Sequence, residues 1–143
     1  MESAESGYEA VEHTADLAIR AWAPDLRGLV EQAARGMLDV MLDLDAAPPA
    51  RGHREVVGEG PEPEELLVDC LREILALLQV EGMVPVSVEV SQVREGRAHC
   101  RVGVAPMEEA RDALAREIKA VTYHGLEIAR REGRLEVTVV FDV

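Results

Sequence analysis

From residue 17 the chain alternates, Leu17, Ile19 and Ala21 on one side and Ala18, Arg20 and Trp22 on the other, the period of two that marks a half-buried strand. A shorter strand is expected over residues 8–12. His13-Thr14-Ala15-Asp16 joins the two, and strand parity sets Asp16 on the Arg20 and Trp22 side. The period then lengthens. Asp25 follows Pro24 in the N-cap position, and Leu26, Leu29, Val30, Ala33, Met37, Val40 and Met41 recur at helical spacing to about residue 42. Residues 43–50, with Pro48-Pro49, read as a loop and residues 52–57 as a weak strand. A second helix is expected from Pro63, whose missing N–H is no loss in a first turn, while Glu64 and Glu65 complement the helix dipole. Its apolar face, Leu66, Leu67, Cys70, Leu71, Ile74, Leu75 and Leu78, is wide enough to make it the most buried element before the chain turns near Gly82.

Beyond that point the period returns to two. Val84, Val86, Val88 and Val90 alternate with polar or small residues, as do Ala98, Cys100, Val102 and Val104, so a β-hairpin is predicted around Glu95-Gly96. Arg94-Glu95-Gly96-Arg97 recurs as Arg131-Glu132-Gly133-Arg134, again between two strand-like runs, and both copies read as turns. Residues 106–116 are charged and read as a loop or a short helix. Three strands are expected afterwards, over residues 118–124, 126–131 and 135–141. The order predicts an α+β fold, one domain over residues 1–143, with two helices packed on a largely antiparallel β-sheet.

Charge narrows the function. The 28 acidic and 15 basic side chains leave a net −13, which disfavours direct binding of nucleic acid or an anionic membrane, both of which are gripped mainly by Lys and Arg. Beside Trp22 the only aromatic residues are Tyr8, Tyr123 and Phe141, too few for a base-stacking platform. The acidic start lacks the apolar stretch of a signal peptide, and residues 66–80 are too short and too charged to span a bilayer, so a soluble protein is expected. Cys70 and Cys100 stand 30 residues apart with no CxxC or CxH partner, so they are expected to pack as small apolar residues in a reducing cytoplasm rather than to hold zinc or a disulfide framework. Walker A, GxGxxG, GxSxG and HExxH motifs are absent, which disfavours the enzyme classes such motifs mark.

Four groups of residues have candidate chemistry. His13, Thr14 and Asp16 stand together at a strand mouth, where such side chains also satisfy backbone amides. At the other end, Asp142 shares a strand face with Glu136, Thr138 and Val140, and the sequence stops at Val143, whose carboxylate adjoins the Asp142 side chain. Two carboxylates so close repel unless compensated, and hard oxygen donors suit Ca²⁺, Mg²⁺ or Mn²⁺; a terminus fraying in water is the plainer reading. Alternation sets Lys119, Val121 and Tyr123 on one face, where a cation and a phenol could converge on an anion or simply meet water. The acidic stretch from Glu55 to Glu73, seven carboxylates against Arg72, reads as a solvated face or a dock for a basic partner.

Taken together and in order, several strings resemble the archease family from end to end. They are Tyr8-Glu9-Ala10-Val11-Glu12-His13-Thr14-Ala15-Asp16, Ala33-Ala34-Arg35-Gly36-Met37, Glu64-Glu65-Leu66-Leu67, Glu117-Ile118-Lys119-Ala120-Val121-Thr122-Tyr123-His124, and Phe141-Asp142-Val143. The resemblance implies a small cytoplasmic accessory protein, not itself an enzyme. Such proteins assist an RtcB-type RNA ligase in tRNA splicing and RNA repair, promoting its guanylylation and multiple turnover, and meet tRNA only through the ligase. It also implies a divalent metal, calcium in preference to magnesium or manganese, held by Asp16, Asp142 and the Val143 carboxylate, and a role for Lys119 in ligase activation. One departure stands out: many family members carry a His in the loop before the Lys119 strand, and residues 103–116 contain none. Two alternatives are a small metal-dependent hydrolase, with Asp16 and Asp142 as ligands and His13 or His124 as base, and a metal-independent, chaperone-like interaction module using the acidic helix.

Overall fold

The structure is a computed structural model, describing residues 5–11, 17–123 and 125–143. The first two strands, β1 (Gly7–Val11) and β2 (Leu17–Ala23), run antiparallel, and α1 (Leu26–Met41) follows directly. Its start is fixed as expected: Asp25 is extended and its carboxylate accepts the Gly28 N–H at 2.8 Å, satisfying an amide the first turn would otherwise leave open. β3 (Gly52–Glu59) precedes α2 (Pro63–Gln79), with Pro63 in the first turn beside Glu64 and Glu65. β4 (Met83–Arg94) and β5 (Arg97–Pro106) form the predicted hairpin. The charged stretch after it is a single helical turn, α3 (Met107–Ala110), continued as a 3₁₀ turn over Arg111–Ala113. The chain closes with β6 (Ala120–Thr122), β7 (Ala129–Arg131) and β8 (Arg134–Asp142).

These strands form two sheets, both wholly antiparallel. One has the order β1-β2-β8-β6 with β7 also on β8; the other has the order β3-β5-β4. The fold is therefore α+β, with one sheet more than expected. Both repeated tetrapeptides are tight turns with two left-handed residues each, Glu95 at φ 53° with Gly96 at 75°, and Glu132 at 52° with Gly133 at 80°. That pair of positive angles is the type I′ geometry whose twist matches a hairpin.

The two long helices touch strands of both sheets, α1 on β2 and β4 and α2 on β3 and β6, so the buried side chains form one continuous cluster. Leu67, Leu71 and Ile74 of α2 lie wholly buried in it, as its wide apolar face requires. Glu31 is the exception, a buried carboxylate that accepts the Val90 N–H at 2.8 Å and pairs with Arg27 and Arg35 at 3.4 and 3.5 Å. A register shift between Val90 and Gln92 marks a β-bulge in β4 at this point, so a side chain from α1 takes a backbone group beside the irregular ladder.

Cys70 and Cys100 are buried free thiols, as their sparse spacing suggested. Among the described residues no helix is long and apolar enough to cross a membrane. The last strands are shorter than the alternation of residues 118–124 and 126–131 predicts. β6 and β7 each pair with β8 alone; just before them, Gln79 of α2 takes the Ile118 and Lys119 carbonyls and Glu64 takes the Ile128 N–H.

Candidate functional site

β8 lies between β2 on one edge and β6 and β7 on the other, so three chain segments meet at its C-terminal end. Leu17, the first residue of β2, pairs with Phe141, and Ala120, the first of β6, pairs with Asp142. Just outside β6, the Lys119 N–H donates to the Asp142 carbonyl at 2.7 Å. Phe141 and Val121 point inward and are fully buried; Asp142, next to Phe141, takes the opposite face and is exposed, and Lys119, just outside β6, is exposed as well. Asp142 thus shares the outer face of β8 with Thr138 and Val140, the face the alternation predicts.

Of the metal set that the sequence suggests, Asp142 and Val143 stand together at this strand end, Asp142 exposed and Val143 half-buried against the core. Asp16 lies outside the described residues, as do His13 and Thr14; its chain neighbour Leu17 is across from Phe141, the chain neighbour of Asp142. Among the described residues no Lys or Arg forms an ion pair with Asp142, and no group of three or more His, Cys, Asp and Glu is placed to hold a metal by itself.

Lys119 reaches the same strand end from the other side, but not with Tyr123. The expected shared face of Lys119, Val121 and Tyr123 does not form, because β6 spans only three residues and Val121 is buried while both others are exposed. The Tyr123 phenol instead lies by the start of α2. Partial desolvation, then the carboxylates of Glu65, Glu64 and Glu62, push its pKa above the ordinary tyrosine value. The cation and the phenol serve different places.

What holds the Lys119 segment was not read from the sequence. Gln79 on α2 donates to the carbonyls of Ile118 and Lys119 at 3.3 and 3.0 Å, Arg72 donates to the Val121 carbonyl at 3.0 Å, and Glu64 accepts the Ile128 N–H at 3.0 Å. The signal was present in the spacing: positions 64, 72 and 79 recur at about two-turn intervals and so form one polar stripe along α2. The acidic stretch is likewise partly structural. Asp69 accepts the Glu59 N–H at 2.7 Å, and Glu59 pairs with Arg97 at 2.8 Å.

On the outer face of β2, the Arg20 and Arg134 guanidinium groups lie over the Trp22 ring, 4.7 and 5.2 Å from its centroid. Arg20 also pairs with Glu9 at 3.6 Å and Glu136 at 3.8 Å. A cavity of about 280 Å³ opens beside them, lined by Arg20, Glu127, Arg131, Glu136 and Thr138 among others. Its arginines are matched by carboxylates, so it carries no marked excess of charge.

Comparison with known proteins places this geometry. The chain resembles the solution structure of protein 1598 of Methanobacterium thermoautotrophicum, with a TM-score of 0.75 and 26% identity, covering 96% of this chain and 99% of that one. It shares its fold with the crystal structure of an archease, described as a possible chaperone, from Thermotoga maritima, with a TM-score of 0.66 and 23% identity over 94% and 96% of the two chains. In sequence it is 36% identical to protein archease of Methanopyrus kandleri over 95% of this chain and 99% of that protein, and 33% identical to that of Methanosarcina mazei over 95% of each. The model of the Archease protein family (MTH1598/TM1083) matches residues 8–143. The chain therefore belongs to the archease family.

Proposed function

We propose that this protein is a non-enzymatic accessory factor of an RtcB-type RNA ligase, acting in the cytoplasm in tRNA splicing and RNA repair, and that it holds a divalent metal through Asp16, Asp142 and the Val143 carboxylate. The observation that carries the reading is the convergence at the end of β8, where the start of β2 and the start of β6 flank Asp142. Asp16 directly precedes Leu17 in the sequence, and Leu17 pairs with Phe141, the chain neighbour of Asp142. The carboxylates of Asp16, Asp142 and Val143 would offer hard oxygen donors, the set that suits Ca²⁺ and, less specifically, Mg²⁺ or Mn²⁺. Asp142 fits that role because it is exposed and has no cationic partner among the described residues.

When bound, the cation supplies positive charge that attracts phosphate oxygens. The chain's own residues do the positioning. Lys119 is fixed to the same strand end by its N–H bond to the Asp142 carbonyl and by the Gln79 bond to its own carbonyl, and its side chain is exposed. The net −13 leaves the RNA to the ligase and agrees with an indirect role for tRNA.

The test has two readouts. Calcium titration by calorimetry is expected to show one site, lost in Asp16→Ala and Asp142→Ala and weakened when residues are appended after Val143. Guanylylation of a cognate ligase with GTP is expected to be stimulated by the wild-type protein and not by these variants. Undiminished stimulation by both aspartate variants overturns the metal's role, and stimulation without calcium binding would point to a metal-independent interaction module. Phosphate or RNA hydrolysis by the protein alone would favour a hydrolase instead.

A further inference from the structure

The fold brings together two residues that stand far apart in the sequence and that the proposed function does not use. Cys70 on α2 and Cys100 on β5 are both buried, both free, and their Sγ atoms lie 3.5 Å apart. We propose that they are an oxidisable pair that closes to a disulfide and ties α2 to the three-stranded sheet.

The surroundings hold the two sulfurs in place. Gly58 on β3 lets α2 approach so closely that a Cβ there would meet Cys70 Sγ at 2.5 Å and its backbone N at 2.7 Å. Cys100 sits opposite Val56 on β3 and Val90 on β4, in the middle strand of its sheet. Closing to a disulfide asks the sulfurs, 3.5 Å apart, to approach by roughly 1.5 Å. The two sulfurs share one S–H···S hydrogen bond, in which either can be the donor, and burial disfavours the thiolate of both.

The oxidant required is a low-molecular-weight disulfide, RSSR. The thiolate of one cysteine attacks one sulfur of RSSR and expels RS⁻, which takes up a proton. The other cysteine then loses its proton, attacks the protein sulfur of the mixed disulfide and expels the second RS⁻. The net change is two protein thiols and one RSSR giving one protein disulfide and two RSH. Because both thiols are buried, exchange in the folded protein proceeds through local opening of α2 from β5 and is slow. The link would fix the same helix whose Arg72 and Gln79 hold residues 118–121.

The experiment treats the full chain with hydroxyethyl disulfide in two arms, one folded and one refolding from urea, and then denatures it in N-ethylmaleimide for intact mass and peptide mapping. The expected product is a monomer lighter by two hydrogens, with no alkylation and a peptide linked through Cys70 and Cys100. Its melting temperature is expected to rise by roughly 10 °C, since the link closes a long loop of the unfolded chain. Cys70→Ala and Cys100→Ala should each abolish the link. Alkylation of both cysteines in both arms, or accumulation of reagent-capped cysteine in the refolded protein, overturns the pairing. A link with no rise in melting temperature overturns its role as a tie.

Discussion

β8 is held differently along its two edges. Along one, β2 pairs with it continuously from Leu17↔Phe141 to Ala23↔Leu135; along the other, β6 and β7 each contribute three residues at opposite ends. The first edge is maintained by backbone bonds that each reinforce the next. The second depends on three side chains of α2, Glu64, Arg72 and Gln79, which supply donors and an acceptor to a chain that leaves the ladder between its two short strands. The lesson is that the edge with the weaker ladder is the one that presents Lys119, because a residue just outside a strand can expose its side chain and still have its backbone tied down.

The largest effect is expected at the residue both edges share. Phe141→Ala removes a fully buried ring at the meeting of β2, β8 and β6 and should cost about 3–5 kcal/mol in urea unfolding, loosening both edges alike. If the Lys119 edge loosened while the β2 ladder kept its protection, the two edges would not share one core.

A smaller change separates them. Gln79→Ala should cost about 1 kcal/mol, since the two carbonyls it serves are not deeply buried and can turn to water. Its local signature is faster amide exchange at Lys119 and Val121, with the amides of residues 18–22 unchanged. Equal acceleration on both edges would show that α2 supports the whole sheet rather than the one segment.

The smallest effect is expected on the continuous edge. Arg20→Ala loses its stacking on Trp22 and its pairs with Glu9 and Glu136, all partly in water, and should cost about 0.5–1 kcal/mol. High salt should reduce that cost, and no change in exchange at Lys119 is expected. A larger loss than in Gln79→Ala would reverse the ranking of the two edges.

The same contrast explains what could be read in advance. The hairpin of β4 and β5 was legible because long alternation and a Glu-Gly turn point to the same answer, and α1 because Asp25 and the apolar spacing agree. The split into two sheets was not legible, since alternation gives the faces of a strand but not its neighbours. At the site, the outward parity of Asp142 followed from Phe141 pointing in, whereas the parting of Lys119 from Tyr123 did not. Alternation continues through residues 119–123, but the strand spans only residues 120–122, and Gln79 takes the Lys119 carbonyl just before it.

By itself the sequence determined the elements, their caps and turns, the faces of the strands, the acidic balance, and the strings that mark the family. These are local, set by side-chain period, backbone conformation and charge, each of which acts over a few residues. Only the tertiary structure decided which strand ends meet at Asp142, which helix side chains hold Lys119, and that two cysteines 30 residues apart lie 3.5 Å from each other. Those depend on how one core is packed from two helices and two sheets, and packing joins residues whose separation along the chain has no bearing on their distance in space.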